Sequence, residues 1–181
     1  MSDNGEEKKE FCVVCGKELD YEVGIFQGAV GKFHKECKGG ASKLYTDKID
    51  EARSLDIRDL PNRIDIKMFE QLIFSVAVAF VDILKEALKD PDHECHDEAV
   101  HIEENQRFLL DPSMMGQELK GRVLPHLSEW VDMEYAEGHE RLFHDGTYRW
   151  NKPVPLGDIL KAFNNIGVVW PKELEGGVLD D

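Results

Sequence analysis

Two pairs of metal-ligating residues lie near the start of this 181-residue chain. Cys12 and Cys15 form the first pair, and His34 and Cys37 follow after 18 intervening residues. Two cysteines separated by two residues can present both sulfurs to one ion from a tight turn, which Gly16 eases. A histidine and a cysteine three positions apart meet on one side of a helical turn. The spacing therefore predicts a tetrahedral zinc site, which can fold a segment too short to fold on a hydrophobic core.

The segment between the two pairs predicts a β-hairpin. Apolar residues alternate through residues 21–33, and glycines stand at positions 24, 28 and 31. A hairpin would return the chain to the metal. Because four protein ligands leave no open coordination position, we expect the single zinc ion to be structural.

The order Cys-x2-Cys-Gly-Lys, hairpin, Phe-His-x2-Cys resembles the first zinc module of a LIM domain, and more broadly a treble-clef finger. The resemblance covers residues 11–40, and no second cysteine pair follows. In LIM domains these four positions bind zinc, so the resemblance implies that role for Cys12, Cys15, His34 and Cys37. It also implies an adaptor function.

The rest of the chain predicts a mainly α-helical fold, with β structure confined to the finger and one or two short strands. We expect a disordered segment 1–10, a zinc finger 11–40 closed by Gly39-Gly40, an acidic helical domain 44–172 and an acidic tail 173–181. Apolar periodicity and Pro, Gly and Asn breaks predict about five helices in the larger domain. The predicted elements are helices over 46–55, 66–89, 97–110, 114–137 (kinked or divided at Pro125) and 156–166, and a strand over 147–150.

The predicted helix over 66–89 is not expected to anchor the chain in a membrane. Its uncharged run, residues 71–81, is shorter than the stretch of about 20 residues that spans a bilayer. Polar residues also follow one stripe of the helix, which is typical of a helix buried on its other faces. The start of the chain has no apolar leader, and the thiols are spaced for a metal, so we expect a cytoplasmic or nuclear protein.

The net charge of −15 is unevenly distributed. Residues 8–48 hold eight Lys and six Asp or Glu, so the remaining residues carry −17. This charge repels polyanions and favours a protein partner with a basic surface. A nucleic-acid role would have to use the basic half of the finger, where Lys32, Lys35 and Lys38 lie. The composition leaves the oligomeric state open.

A second cluster of potential ligands lies in residues 93–101. On a helix, Glu98 and His101 have the spacing of one half of a di-iron site, but no matching Glu-x-x-His occurs elsewhere. The alternative is an exposed acidic helix start, where Asp and Glu favour the N-terminus. The candidate ligands are His93, His96, Asp97, Glu98 and His101.

An aromatic and proline-rich stretch, residues 148–155, has two interpretations. Trp150, Pro153 and Pro155 can form a packed turn or an exposed segment that docks a peptide. No P-loop, Gly-x-Ser-x-Gly or His-Glu-x-x-His motif is present. We therefore expect a non-enzymatic interaction or regulatory protein. The alternatives are a nucleic-acid-associated regulator that uses the finger and a metalloenzyme built around residues 93–101.

Overall fold

The computed structural model describes residues 9–19, 24–134, 147–150 and 152–168. The backbone divides into two compact units, Met1–Glu51 and Ala52–Asp181, which we name the finger unit and the helical unit. Most of the predicted disordered segment and all of the predicted tail lie outside the described residues. The end of the predicted helix 114–137 also lies outside them.

The finger unit contains the predicted hairpin. Strands β1 (Ile25–Gly28) and β2 (Gly31–His34) are antiparallel, with Phe26 opposite Phe33. Their rings stack with centroids 6.2 Å apart. The chain turns at Gly31, whose φ of +117° is accessible to glycine and strained for other residues. A 3₁₀ turn, Lys35–Cys37, then leads directly into helix α1 (Lys38–Arg53).

The start of α1 corrects the prediction that Gly39-Gly40 closes the finger and that a helix begins at residue 46. Both glycines lie inside α1. A Cβ atom on Gly40 would lie 2.5 Å from Val14 Cγ1, so the helix passes the cysteine turn too closely for a side chain. The two glycines therefore permit a close approach instead of ending the structure.

Helix α2 (Ile66–Ala87) is the central element of the helical unit. The Asp65 side chain caps it by accepting a hydrogen bond of 2.9 Å from the Met68 N–H. The helix ends before Asp90-Pro91, as predicted. No helix among the described residues combines the length and apolar character that a membrane span requires.

Three further helices complete the helical unit: α3 (His96–Asn105), α4 (Pro112–Val123) and α5 (Leu156–Asn165). The predicted helix 97–110 is divided, because its last residues form a 3₁₀ turn, Arg107–Leu110. Helix α5 ends close to Gly167, whose φ is +88°. Counted over the described residues, five α-helices confirm the mainly α fold.

Between Val123 and Glu134, where the described part of this range ends, the predicted helix 114–137 is wrong. Pro125 lies in a 3₁₀ turn, Leu124–Leu127, and the next element is strand β4 (Val131–Glu134). Proline has no backbone N–H and clashes with the preceding helical turn, so it ends α4 instead of kinking it. Strand β4 pairs antiparallel with β5 (Thr147–Trp150), which the sequence predicted as a strand.

One apolar core holds the helical unit together. Helix α4 approaches α2 at Gly116, where a Cβ atom would lie 3.7 Å from Ala77 and Ile73. A short antiparallel pair, β3 (Arg63–Ile64) with β6 (Val154–Pro155), leads into α5. The largest fully buried side chains include Phe69, Phe163, Ile64, Leu72, Leu127 and Leu156.

Candidate metal centre

The structure brings the four predicted zinc ligands together. The Sγ atoms of Cys12, Cys15 and Cys37 and a ring nitrogen of His34 all lie within 4.8 Å of one another. Over the described ranges, no other group of three or more His, Cys, Asp or Glu side chains gathers so closely. The predicted clustering of these residues is therefore confirmed.

The distance between two of the ligand atoms fits a zinc site. Cys15 Sγ lies 3.5 Å from His34 Nδ1. A tetrahedron with a Zn–S bond of about 2.3 Å and a Zn–N bond of about 2.05 Å has an S–N edge of about 3.6 Å. The agreement indicates that Nδ1 is the ligand atom of His34.

The orientation of His34 is set by its other ring nitrogen. Nε2 lies 3.2 Å from the Glu18 carbonyl oxygen, which can accept its hydrogen bond. Such a bond fixes the tautomer and leaves Nδ1 free to bind a metal. The sequence could not reveal this partner, because the contact is made by the backbone of residue 18.

The first cysteine pair lies in a tight turn of the backbone. The Gly16 N–H donates to the Cys12 carbonyl at 2.9 Å, and Gly16 has a φ of +70°. The Val13 N–H donates to the Lys32 carbonyl at 3.1 Å, which ties the turn to β2. The role predicted for Gly16 follows from this left-handed conformation.

The electrostatics of the cluster favour a cation at its centre. Burial raises the pKa of Cys12, but backbone N–H groups of Cys15, His34 and Val14 lower it more, to about 6. Burial and hydrogen bonds with the other two thiols raise the pKa of Cys37 to about 11. A hydrogen bond with Cys15 raises the pKa of His34, against the lowering effect of burial. Because neighbouring thiolates repel one another, the fully deprotonated set requires a positive charge between them.

The first two histidines of the second cluster make structural hydrogen bonds. His93 Nδ1 accepts from the Cys95 N–H at 3.0 Å. His96 Nδ1 donates to the Ala87 carbonyl at 2.7 Å. These bonds hold the connection between α2 and α3.

The other members of that cluster lie on α3. His101 Nδ1 lies 3.2 Å from the Asn105 side-chain nitrogen. Asp97 and Glu98 are exposed in the first turn, where their charges stabilise the helix N-terminus. Three ligand atoms do not gather within this described segment. A metal bound here stays a prediction.

The three lysines of the predicted basic surface differ in their surroundings. Lys32 Nζ forms an ion pair with both carboxylate oxygens of Glu10, at 2.8 and 2.6 Å. Lys35 and Lys38 are exposed. The ion pair reduces the positive charge that the finger can offer to a polyanion.

The proline-rich stretch takes part in packing the helical unit. The Trp150 ring lies 5.1 Å from the Phe69 ring, measured between centroids. Arg63 Nη1 donates to the Pro153 carbonyl at 3.2 Å, and Pro155 lies opposite Arg63 in the β3–β6 pair. A docking role for these residues stays a prediction.

Comparisons with known proteins found no match. The chain matches no family model, no curated protein and no solved structure. The site is therefore characterised by its own geometry.

Proposed function

We propose that this chain is a zinc-binding interaction or regulatory protein with one structural zinc ion. The observation that carries the proposal is the cluster of three thiols and one imidazole, whose ligand atoms lie within 4.8 Å of one another. Zinc bound there would neutralise the thiolates and join the cysteine turn to the start of α1. Four protein ligands leave no position for water or substrate, which supports a structural role.

A treble-clef-like finger is the form that the local fold supports. The cysteine turn is followed by the β1–β2 hairpin, and α1 begins directly after the last ligand, Cys37. The order of cysteine turn, hairpin and second ligand pair is the one expected from the LIM-like resemblance, whereas the immediate start of α1 was not expected. All four cysteines are free of disulfides, which suits a reducing compartment such as the cytoplasm or nucleus.

The partner of the helical unit is proposed to be a protein with a basic surface. The helical unit, residues 52–181, carries a net charge of −12, and such a field attracts basic partners and speeds their approach. Binding of nucleic acid by exposed Lys35 and Lys38 is the second candidate. We expect negligible affinity for mixed-sequence DNA or RNA by fluorescence anisotropy at ~150 mM salt. Submicromolar binding that disappears when Lys32, Lys35 and Lys38 are changed to Glu would favour that second candidate.

Metal content is the direct test of the proposed zinc. Plasma spectrometry of the purified chain should give one zinc ion per molecule. Cys95→Ala should leave this ratio unchanged, because Cys95 is not one of the four ligands. Loss of zinc in this variant would contradict the ligand assignment. Iron, manganese or a second zinc ion would favour a metalloenzyme centred on residues 93–101.

A further inference from the structure

The helical unit contains an apolar groove that the zinc site does not use. Its volume is about 390 Å³, and it lies between α2, α3, α4 and the end of α5. Phe80, Ile83 and Leu84 form the α2 side, and Leu119 contributes from α4. Ile83 is 48% exposed, so an apolar side chain at the edge of the groove is accessible to a partner.

One wall of the groove is formed by α3, which lies in an acidic stretch of the chain. Helix α3 contributes Glu98 and Ile102, and the residues directly before and after it, Cys95 and Gln106, also line the groove. Residues 90–107 contain seven Asp or Glu and one Arg, and of these seven acidic residues Glu98 lines the groove itself. This side of the groove therefore combines apolar contacts with the Glu98 carboxylate and an acidic neighbouring sequence.

The opposite wall does not offset that charge. Glu118 and Arg122 of α4 both line the groove. Arg122 Nη2 lies 2.8 Å from Glu118 Oε1, so the two charges compensate each other. Near α3, Glu103 pairs with Arg107 at 3.2 Å, and the other acidic residues of 90–107 leave this side of the rim with a net negative charge.

We propose that the groove binds a basic amphipathic helix of a partner protein. Apolar side chains at i, i+3, i+4 and i+7 of such a helix would enter the groove, and its Lys or Arg residues would face the α3 wall. The chain's own residues 169–181 carry a net charge of −3, so charge complementarity favours a basic partner over this segment. This inference rests on the proposed function, because it names the surface that the basic partner uses.

A designed peptide pair tests the charge argument. The probe is a fluorescent helical peptide of about 18 residues with Leu at the apolar positions and Lys elsewhere. Its control has the same Leu positions and Glu in place of Lys. Fluorescence anisotropy with the full-length zinc-loaded chain should show saturable binding of the Lys peptide, weakened by added salt, and no binding of the Glu peptide. Equal binding of both peptides would overturn the proposal, because the groove would then select apolar surface alone.

Two variants, each with a matched control, test whether the Lys peptide binds in the groove. Ile83→Lys should weaken Lys-peptide binding about tenfold or more, since it removes a buried apolar contact and adds a repelling charge. Leu44→Lys is its matched control, because Leu44 is 40% exposed on α1 and lies outside the groove. Glu98→Gln should weaken binding about two- to fivefold, whereas Glu94→Gln, at an exposed position that does not line the groove, should have less effect. Unchanged binding by Ile83→Lys would overturn the assignment.

The zinc content of the same samples separates this inference from the proposed function. Zinc-loaded protein that does not bind the Lys peptide would overturn the groove proposal alone. Protein without zinc would contradict the proposed function instead. Binding that occurs only when the chain ends at Val168 would also overturn the proposal, because the groove would then belong to the chain's own last residues.

Discussion

The finger unit and the helical unit differ in the amount of apolar surface they bury. In the described part of the finger unit, the core consists of the four buried residues Cys12, Leu19, Phe33 and Ala41, and one of them, Cys12, is a candidate metal ligand. The core of the helical unit contains 26 buried side chains over its described residues. The two units must therefore obtain their stability from different sources.

The difference follows from length and from the type of residue that each unit buries. A segment of about 40 residues buries too little surface to offset the entropy of folding, so a metal or disulfide is usually required. The helical unit is large enough to fold on hydrophobic burial. We infer that zinc stabilises the finger unit, and that apolar packing stabilises the helical unit.

Of the variants considered, Cys37→Ser should have the largest effect, and the effect should be limited to the finger unit. Structural zinc contributes about 10–16 kcal/mol to the folding of zinc-finger peptides at neutral pH, and the variant removes one ligand. We expect loss of zinc and unfolding of the finger unit. Far-UV circular dichroism should keep most of its helical signal, because α2 to α5 lie in the helical unit. Global unfolding would show that the finger is required for the larger core.

Phe69→Ala should have the complementary effect. Phe69 is fully buried and packs against Trp150, so its removal leaves a cavity in the helical unit. Urea unfolding followed by circular dichroism should show a loss of about 3–5 kcal/mol. The folded variant should still hold one zinc ion per chain. Zinc loss under conditions where the variant is folded would contradict separate sources of stability.

Gly40→Ala should cause a smaller effect, limited to the finger unit. The new Cβ atom would lie 2.5 Å from Val14 Cγ1, and such overpacking costs about 1–3 kcal/mol. Zinc affinity, measured by competition with a chelator, should fall. Gly39→Ala is the matched control, since a Cβ there meets nothing within 4 Å and alanine favours helix. Equal affinities of the two variants would contradict the close approach of α1 to the cysteine turn.

Asp82→Asn should have the smallest effect, a slight loss in the free energy of unfolding of the helical unit. Arg53 Nε donates to Asp82 Oδ2 at 2.9 Å. This hydrogen bond lowers the pKa of Asp82, against the raising effect of burial. The stabilisation is therefore complete above the unfolded-state pKa of about 4 and is lost as the pH falls through the lower folded-state pKa.

Urea unfolding at pH 7 should show a loss of about 0.2–1 kcal/mol for Asp82→Asn, and the loss should disappear as the pH falls well below 4. Glu86→Gln is the control, because Glu86 forms only an exposed ion pair with Lys89. A loss for Asp82→Asn that does not change with pH would show that the carboxylate charge is not its cause.

Local features of the sequence predicted the metal cluster, the hairpin and the central helix. The cysteine and histidine spacings and the apolar periodicity of residues 66–89 act over a few residues, so they can be read directly. The start of α1 was mispredicted because the close contact between Gly40 and Val14 joins distant positions. In the sequence alone, Gly39 and Gly40 indicate the end of the finger, because adjacent glycines are typical of a chain break between elements.

Contacts between distant residues also explain the other features that the sequence did not predict. Strand β4 pairs with β5, which lies more than ten residues further along the chain. The apolar periodicity of residues 114–137 therefore predicted a helix where a strand forms. The apolar groove is assembled from four helices and has no continuous motif. The Glu18 carbonyl that orients His34 belongs to the backbone and carries no residue-type signal.

Removal of zinc from the wild-type chain shows whether the finger unit and the helical unit have separate sources of stability. Two-dimensional ¹H–¹⁵N NMR spectra would be recorded while a strong chelator is added to the zinc-loaded protein. Amide signals of residues 9–19 and 24–44 should collapse towards unfolded positions as zinc is removed, while those of α2 to α5 keep their dispersion. Finger signals that stay dispersed without zinc, or helical signals that collapse with them, would contradict the account.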